Sequence, residues 1–301
     1  MWSVADIIRL FSLFFNLVSG LTLNSYIIVV YVREWRKKKG LNVSDKIVLL
    51  LALTGITFQC TCTIESLIFY FGSHLPQGKR LYICIFACHT FLMCESVWNT
   101  AWLSAYYCLK LVKCSHHVFL QVKKRLSSSI TQLLIVSLVG LFLLTLPLPW
   151  TIDINYRNMT SDPSGNRHDI HVDVRYVPLY MVLGSLLPFL LCFICIGLSV
   201  MSLLSHVQQI RQNSSQFSSS PQLEGHLRAV RTMILQVCLC LALYLAALSM
   251  LLFSPYLGMI EKVIFLIIIT SYSSVQAVIS IQGNPKLRNR PPTHDTAMCS
   301  K

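Results

Sequence analysis

The sequence predicts an all-α membrane protein of seven transmembrane helices with its N-terminus outside the cell. Three observations predict it: seven long apolar runs, a composition that is 54% hydrophobic and 12% charged, and basic residues gathered in alternate gaps between the runs. Each run holds the roughly 20 mostly apolar residues needed to cross a hydrocarbon core ~30 Å thick. So little charge excludes an ordinary water-soluble domain.

The runs are 7–32, 47–71, 81–109, 127–150, 176–205, 232–253 and 263–282, with a short cytoplasmic tail at 283–301, and residues 1–301 are read as one domain. The first run follows Met1–Ala5, has no basic n-region, and contains Asp6, Arg9, Asn16 and Asn24. A retained span is therefore expected in place of a removed signal peptide. Arg33, Arg36, Lys37, Lys38, Lys39 and Lys46 fill the first gap. The third gap holds Lys110, Lys113, Lys123, Lys124 and Arg125, and the fifth holds Arg211, Arg228 and Arg231. With Lys286, Arg288, Arg290 and Lys301 in the tail, these make 18 of the 25 Lys and Arg residues. Short loops rich in Lys and Arg stay in the cytoplasm, so an odd number of crossings puts the C-terminus inside. The net charge of +13 thus sets topology and suits an anionic inner leaflet; it does not point to nucleic acid.

The outer gaps are less basic. Gly72–Arg80 and Ser254–Lys262 are short and carry turn residues, Pro76, Gly78, Pro255 and Gly258. Thr151–Arg175 is polar, with a turn signal at Asp162-Pro163-Ser164-Gly165 and a glycosylation acceptor at Asn158-Met159-Thr160. Pro147 and Pro149 end the fourth span. Pro188 falls inside the fifth, where its missing N–H allows a kink. His206–Leu227 reads as a flexible inner loop between helix extensions. Ten of the 12 Cys lie inside spans and read as free thiols packed like small hydrophobes.

Two acids lie clearly at membrane depth, Glu65 and Glu95. A carboxylate there costs ~3 kcal/mol on insertion scales and marks a functional candidate. Glu65, near the outer end of its helix, can reach the headgroups; Glu95 is near mid-span. Trp98, Asn99 and Trp102 follow Glu95 at i+3, i+4 and i+7, so the four share one helix face. Two indoles, an amide and a carboxyl make a wall for a small organic ligand, with Trp suited to stacking and cation–π contact. Packing against neighbouring helices is the competing explanation of the same stripe. Enzyme motifs of the HExxH, GxSxG and glycine-rich phosphate-loop kinds are not found, and no catalytic residue, cofactor or metal is expected. A transporter would show repeated halves and a chain of intramembrane ionisable groups.

Seven spans with an outer N-terminus suggest a G-protein-coupled receptor bundle, but without the rhodopsin-like signatures. The chain instead resembles the bitter taste receptor family, taste receptor type 2. The resemblance is strongest over Trp98, Leu103-Ser104, Tyr107, Leu109-Lys110, Ser115, Phe119-Leu120, Lys123 and Arg125. It continues at Gly20 and Asn24, at Trp35, Asp45, Ile47 and Leu51-Ala52-Leu53, and at Leu187-Pro188-Phe189. Ser202-Leu203, His206, His226, Ala229, Thr232-Met233 and the terminal Gly283-Asn284-Pro285-Lys286-Leu287 complete it. Three departures mark a divergent member: Thr54-Gly55 where the family has Arg, Gln276-Ala277 for His-Ser, and Trp102 for a common Asn.

The resemblance implies a plasma-membrane receptor that binds small bitter organic compounds from outside and activates a heterotrimeric, gustducin-like G protein. Trp98, Asn99, Trp102 and Glu95 would then line the ligand site, with Glu65 nearer the mouth and Tyr244 of the sixth span passing contact inward. The two acids favour cationic amines among the ligands. Another chemosensory receptor, of the vomeronasal type 1 or pheromone-like kind, shares this architecture and stays open as an alternative, with a small-solute transporter or channel as the third.

Overall fold

The computed structural model describes residues 4–38, 40–71, 78–111, 117–156, 168–172, 177–213, 221–253 and 256–288. Among them, seven helices are long and apolar enough to cross a membrane. The first four are Val4–Lys38, Val43–Phe71, Gly78–Leu111 and His117–Thr145. The fifth is built from Val177–Met181, a π-helical turn at Val182–Leu186, and Leu187–Asn213. Pro221–Phe253 and Met259–Gly283 are the sixth and seventh, and a one-turn helix, Pro285–Arg288, follows.

Several helices outrun their apolar runs on the inner side. The first continues through Arg33, Glu34, Trp35, Arg36 and Lys37, and the fourth starts ten residues before the run at 127. Arg, Lys and Glu are good helix formers, so the helix persists where hydropathy fails. The fifth and sixth spans likewise extend to Asn213 and back from Pro221, which needs no N–H partner in a first turn.

The outer segment after the fourth span is more ordered than a polar loop. Ile152–Tyr156 pairs antiparallel with His168–Val172, in a register that sets Ile152 opposite Val172 and Ile154 opposite Ile170. Apolar residues at every second position carry that signal in the sequence. The turn at Asp162–Gly165 and the acceptor Asn158 lie outside the described residues.

The third span is the axis of the bundle and packs against the second, fourth, fifth and sixth. The second and seventh are half buried along their apolar windows, whereas the fourth is only 22% buried and peripheral. Phe11, Phe14 and Phe15 of the first span point outward at 62–72% exposure, an arrangement that suits lipid and not water. All ten described cysteines are free; Cys84, Cys88 and Cys238 are exposed on the bundle surface and the other seven are buried or half-buried.

Polar side chains tie the spans together inside. Asn24 Nδ2 donates to Ser273 Oγ at 3.0 Å, and that hydroxyl donates to the Gly55 carbonyl at 2.8 Å. A Cβ at Gly55 would lie 3.0 Å from Asn24 Oδ1 and 3.1 Å from Ser273 Oγ, so glycine is what lets the three helices close. The second and seventh spans are therefore linked through a backbone carbonyl where relatives are expected to use Arg. Gln276 is buried, and its Oε1 has no hydrogen-bond partner among the described residues.

The terminal Gly283-Asn284-Pro285-Lys286-Leu287 works as a clasp. A Cβ at Gly283 would sit 2.5 Å from Thr232 Oγ1, so at this point the sixth and seventh spans come this close only because it is absent. Pro285 favours extended backbone in the residue before it, and Asn284 is extended at φ −107°, ending the helix. Asn284 Nδ2 then reaches Tyr31 at 2.7 Å, and Tyr26 donates to the Leu287 carbonyl at 2.9 Å. Lys286 Nζ lies 2.6 Å from Asp45 and 3.8 Å from Glu34, joining the ends of three spans.

Candidate ligand-binding site

The four residues of the third-span stripe do lie on one side of that helix, but they divide between neighbours. Glu95 and Asn99 are buried, and Asn99 Nδ2 approaches Glu95 Oε1 at 3.4 Å. Trp102 is turned to the fourth span and donates to Ser137 Oγ at 3.1 Å. Trp98 is turned to the fifth and donates to the Leu183 carbonyl at 3.1 Å. The two indoles stay close, 5.9 Å between ring centres at 33°.

Why a backbone carbonyl in a helix is free to accept Trp98 follows from the chain itself. In the π-turn, the Leu187 N–H bonds the Val182 carbonyl five residues back. That takes away the partner Leu183 would have in an α-helix. Its π-type partner would be the N–H of residue 188, which is proline and has none. Leu183 therefore offers an unclaimed oxygen, and an indole N–H at membrane depth must find an acceptor. The pairing also needs close approach: a Cβ at Gly184 would fall 2.8 Å from Cys94 Sγ.

Tyr244 joins this region from the sixth span. Its hydroxyl donates to the Met181 sulfur, and its ring meets Phe189 edge-on at 5.9 Å. Trp98, Met181 and Tyr244 border one buried cluster that contains Cys94, Val97 and Tyr180. Tyr180 accepts from the Cys94 thiol at 3.2 Å. Ser185, in the π-turn, is buried with its hydroxyl beside the Cys94 thiol and the Tyr244 hydroxyl. The outer half of the bundle thus gathers aromatic faces, a thioether and a hydroxyl between the third, fifth and sixth spans.

Glu65 is not part of this group. Its Oε2 lies 2.7 Å from His89 Nδ1 on the third span, with Cys62 Sγ at 3.8 Å from the same nitrogen and Phe58 edge-on to the imidazole. The pair satisfies the carboxylate inside the bundle, so it does not turn out to the headgroups. His89 is visible in the sequence only as a histidine within a span, a signal equal to that of an intramembrane acid. Asn158 lies outside the described residues.

Comparison with known proteins shows the family. The family model described as "Taste receptor protein (TAS2R)" matches residues 1–293. Taste receptor type 2 member 9 of Macaca mulatta is 27% identical over 280 residues, covering 91% of this chain and 88% of that one. Taste receptor type 2 member 4 of Homo sapiens is 28% identical over 271 residues, covering 89% and 90%. The Rattus norvegicus member 4 is 28% identical over 293 residues, covering 96% and 94%. The chain belongs to the TAS2R family of taste receptors.

Proposed function

We propose that this bitter taste receptor takes up its ligands in the outer half of the bundle, against Trp98, Asn99, Trp102 and Glu95 of the third span and Tyr244 of the sixth. The observation that carries the reading is the Trp98 indole fixed on the Leu183 carbonyl at 3.1 Å, which presents an aromatic face beside Met181 and Tyr244. Such a wall suits flat organic molecules, and Trp102 in place of a family-typical Asn makes it more apolar. Activation follows from differential affinity: an agonist shifts the population toward the helix arrangement it binds better.

Signalling passes to a heterotrimeric G protein at the inner face, and a gustducin-like partner fits the basic inner loops. Residence in the plasma membrane and glycosylation at Asn158 accord with the outward N-terminus. Glu95, and Glu65 nearer the mouth, favour cationic amines.

A calcium-response screen of the expressed receptor with a promiscuous G protein tests the reading. Wild type responds to a subset of bitter compounds, and Trp98→Ala lowers potency at least tenfold at unchanged surface expression. Glu95→Gln loses cationic agonists while keeping neutral ones. Unaltered potencies in Trp98→Ala would remove the site from this wall.

A further inference from the structure

The inner ends of the first two spans sort their charges by direction. Glu34 and Asp45 are turned inward, 6% and 2% exposed, toward Lys286. Arg33, Arg36, Lys37 and Lys46, on the same turns, are exposed. Between the two ends lies a groove of about 420 Å³ lined by Trp35, Gly40, Leu41, Lys46 and Leu49. It sits at the cytoplasmic boundary, where the first crossing ends at Lys37 and the second begins at Val43. A Cβ at Gly40 would meet nothing within 4 Å, so the mouth of the groove is open.

We propose that this groove binds the headgroup of an anionic phospholipid from the inner leaflet. Lys46 takes the phosphate as a charge-assisted hydrogen-bond donor. Trp35, 57% exposed at the end of its span, sits at headgroup level with its indole N–H as a second donor. Leu41 and Leu49 line the side along which the acyl chains descend. Arg36 and Lys37 add to the local positive potential, and the acids that would cancel it are held by Lys286. Charge complementarity and the position at the boundary favour a lipid over a soluble acidic peptide, which has no acyl chain for the leucine side.

The test uses the full-length receptor in phosphatidylcholine bilayers that contain phosphatidylserine, with one lipid or the other brominated. Brominated chains quench an indole they touch, and the Trp35→Phe difference assigns the signal to Trp35. Wild type shows phosphatidylserine enriched about fivefold at Trp35, the worth of one lysine at an anionic surface. Lys46→Gln removes most of the preference, leaving only what Arg36 and Lys37 supply, whereas Lys46→Arg keeps it. Variants are compared at unchanged helical circular dichroism. Parity in wild type overturns the proposal. So does a preference undiminished in Lys46→Gln, which would assign the effect to the diffuse charge of Arg36 and Lys37.

Discussion

His89 of the third span and Glu65 of the second form a hydrogen-bonded pair within the bundle, Nδ1 to Oε2 at 2.7 Å, with both side chains less than a fifth exposed. Neither residue can be altered alone without stranding the other. Glu65→Gln and His89→Gln are each expected to destabilise the receptor by about 1–3 kcal/mol, as a charged group loses its hydrogen-bonding partner. The double variant recovers part of that loss. Thermal unfolding of the purified proteins checks it, and simple additivity of the two losses would mean the pair carries no coupling.

The same relationship bears on ligand charge. An ammonium approaching Glu65 competes with His89 for the carboxylate. His89→Gln is therefore expected to raise potency several-fold for cationic agonists and to leave neutral ones unchanged. Concentration–response curves for one agonist of each kind decide it; a parallel shift in both would deny Glu65 a part in charge selection.

Lys286 gives a pH dependence with a defined sign. Burial by itself lowers its pKa, but the hydrogen bond and charge of Asp45, and then Glu34, outweigh burial and hold the ammonium above the ordinary lysine value. A raised folded-state pKa means its stabilisation is fully present below the ordinary value of about 10.4 and is lost as pH climbs through the raised one. Lys286→Gln should cost about 1–3 kcal/mol at neutral pH, discounted for the partial exposure of the lysine. That gap to wild type should stay level from neutral pH and close only in strong alkali. A gap that already narrows between about pH 7 and 9, below the ordinary lysine value, would contradict the assignment.

The spans and their orientation were readable because apolar runs and basic gaps are local properties of the chain. The stripe from Glu95 to Trp102 was readable for the same reason, since four residues on one helix face need only the helical period. What each side chain meets was not. Trp98 finds Leu183 across 85 residues, and only because a π-turn and Pro188 leave that carbonyl unclaimed. Gly283 reads as a helix end, while its purpose, the close approach of Thr232, belongs to another span. The strand pair at Ile152–Tyr156 and His168–Val172 was legible as a period of two and was obscured by the polar residues between.

That Gly283–Thr232 approach predicts a rescue. Gly283→Ala places a Cβ 2.5 Å from Thr232 Oγ1 and 2.7 Å from Cγ2, and should cost about 1–3 kcal/mol as an overpacked contact. Thr232→Ala removes both atoms and leaves the nearest contact at the Thr232 Cβ, 3.2 Å away. The double variant should therefore unfold at a higher temperature than Gly283→Ala alone. Failure to rescue would show that the sixth and seventh spans are not held together at this point.

Pro188 controls the ligand wall from a distance. Replacing it with Ala supplies the N–H that the Leu183 carbonyl lacks, so the backbone then competes with the Trp98 indole for that oxygen. If the π-turn relaxes to an α-helix, Met181 and Tyr180 rotate relative to the rest of the fifth span, and their contacts with Tyr244 and Cys94 change. Pro188→Ala is expected to keep surface expression, since an added helical hydrogen bond does not destabilise, and yet to lower agonist potency about tenfold. Trp98→Phe, which lacks the N–H but keeps an aromatic face, should lower potency less, and adding Pro188→Ala to it should cost little more. Equal and additive losses in the two variants would show that proline and indole act separately, and that the carbonyl they share does not position the wall.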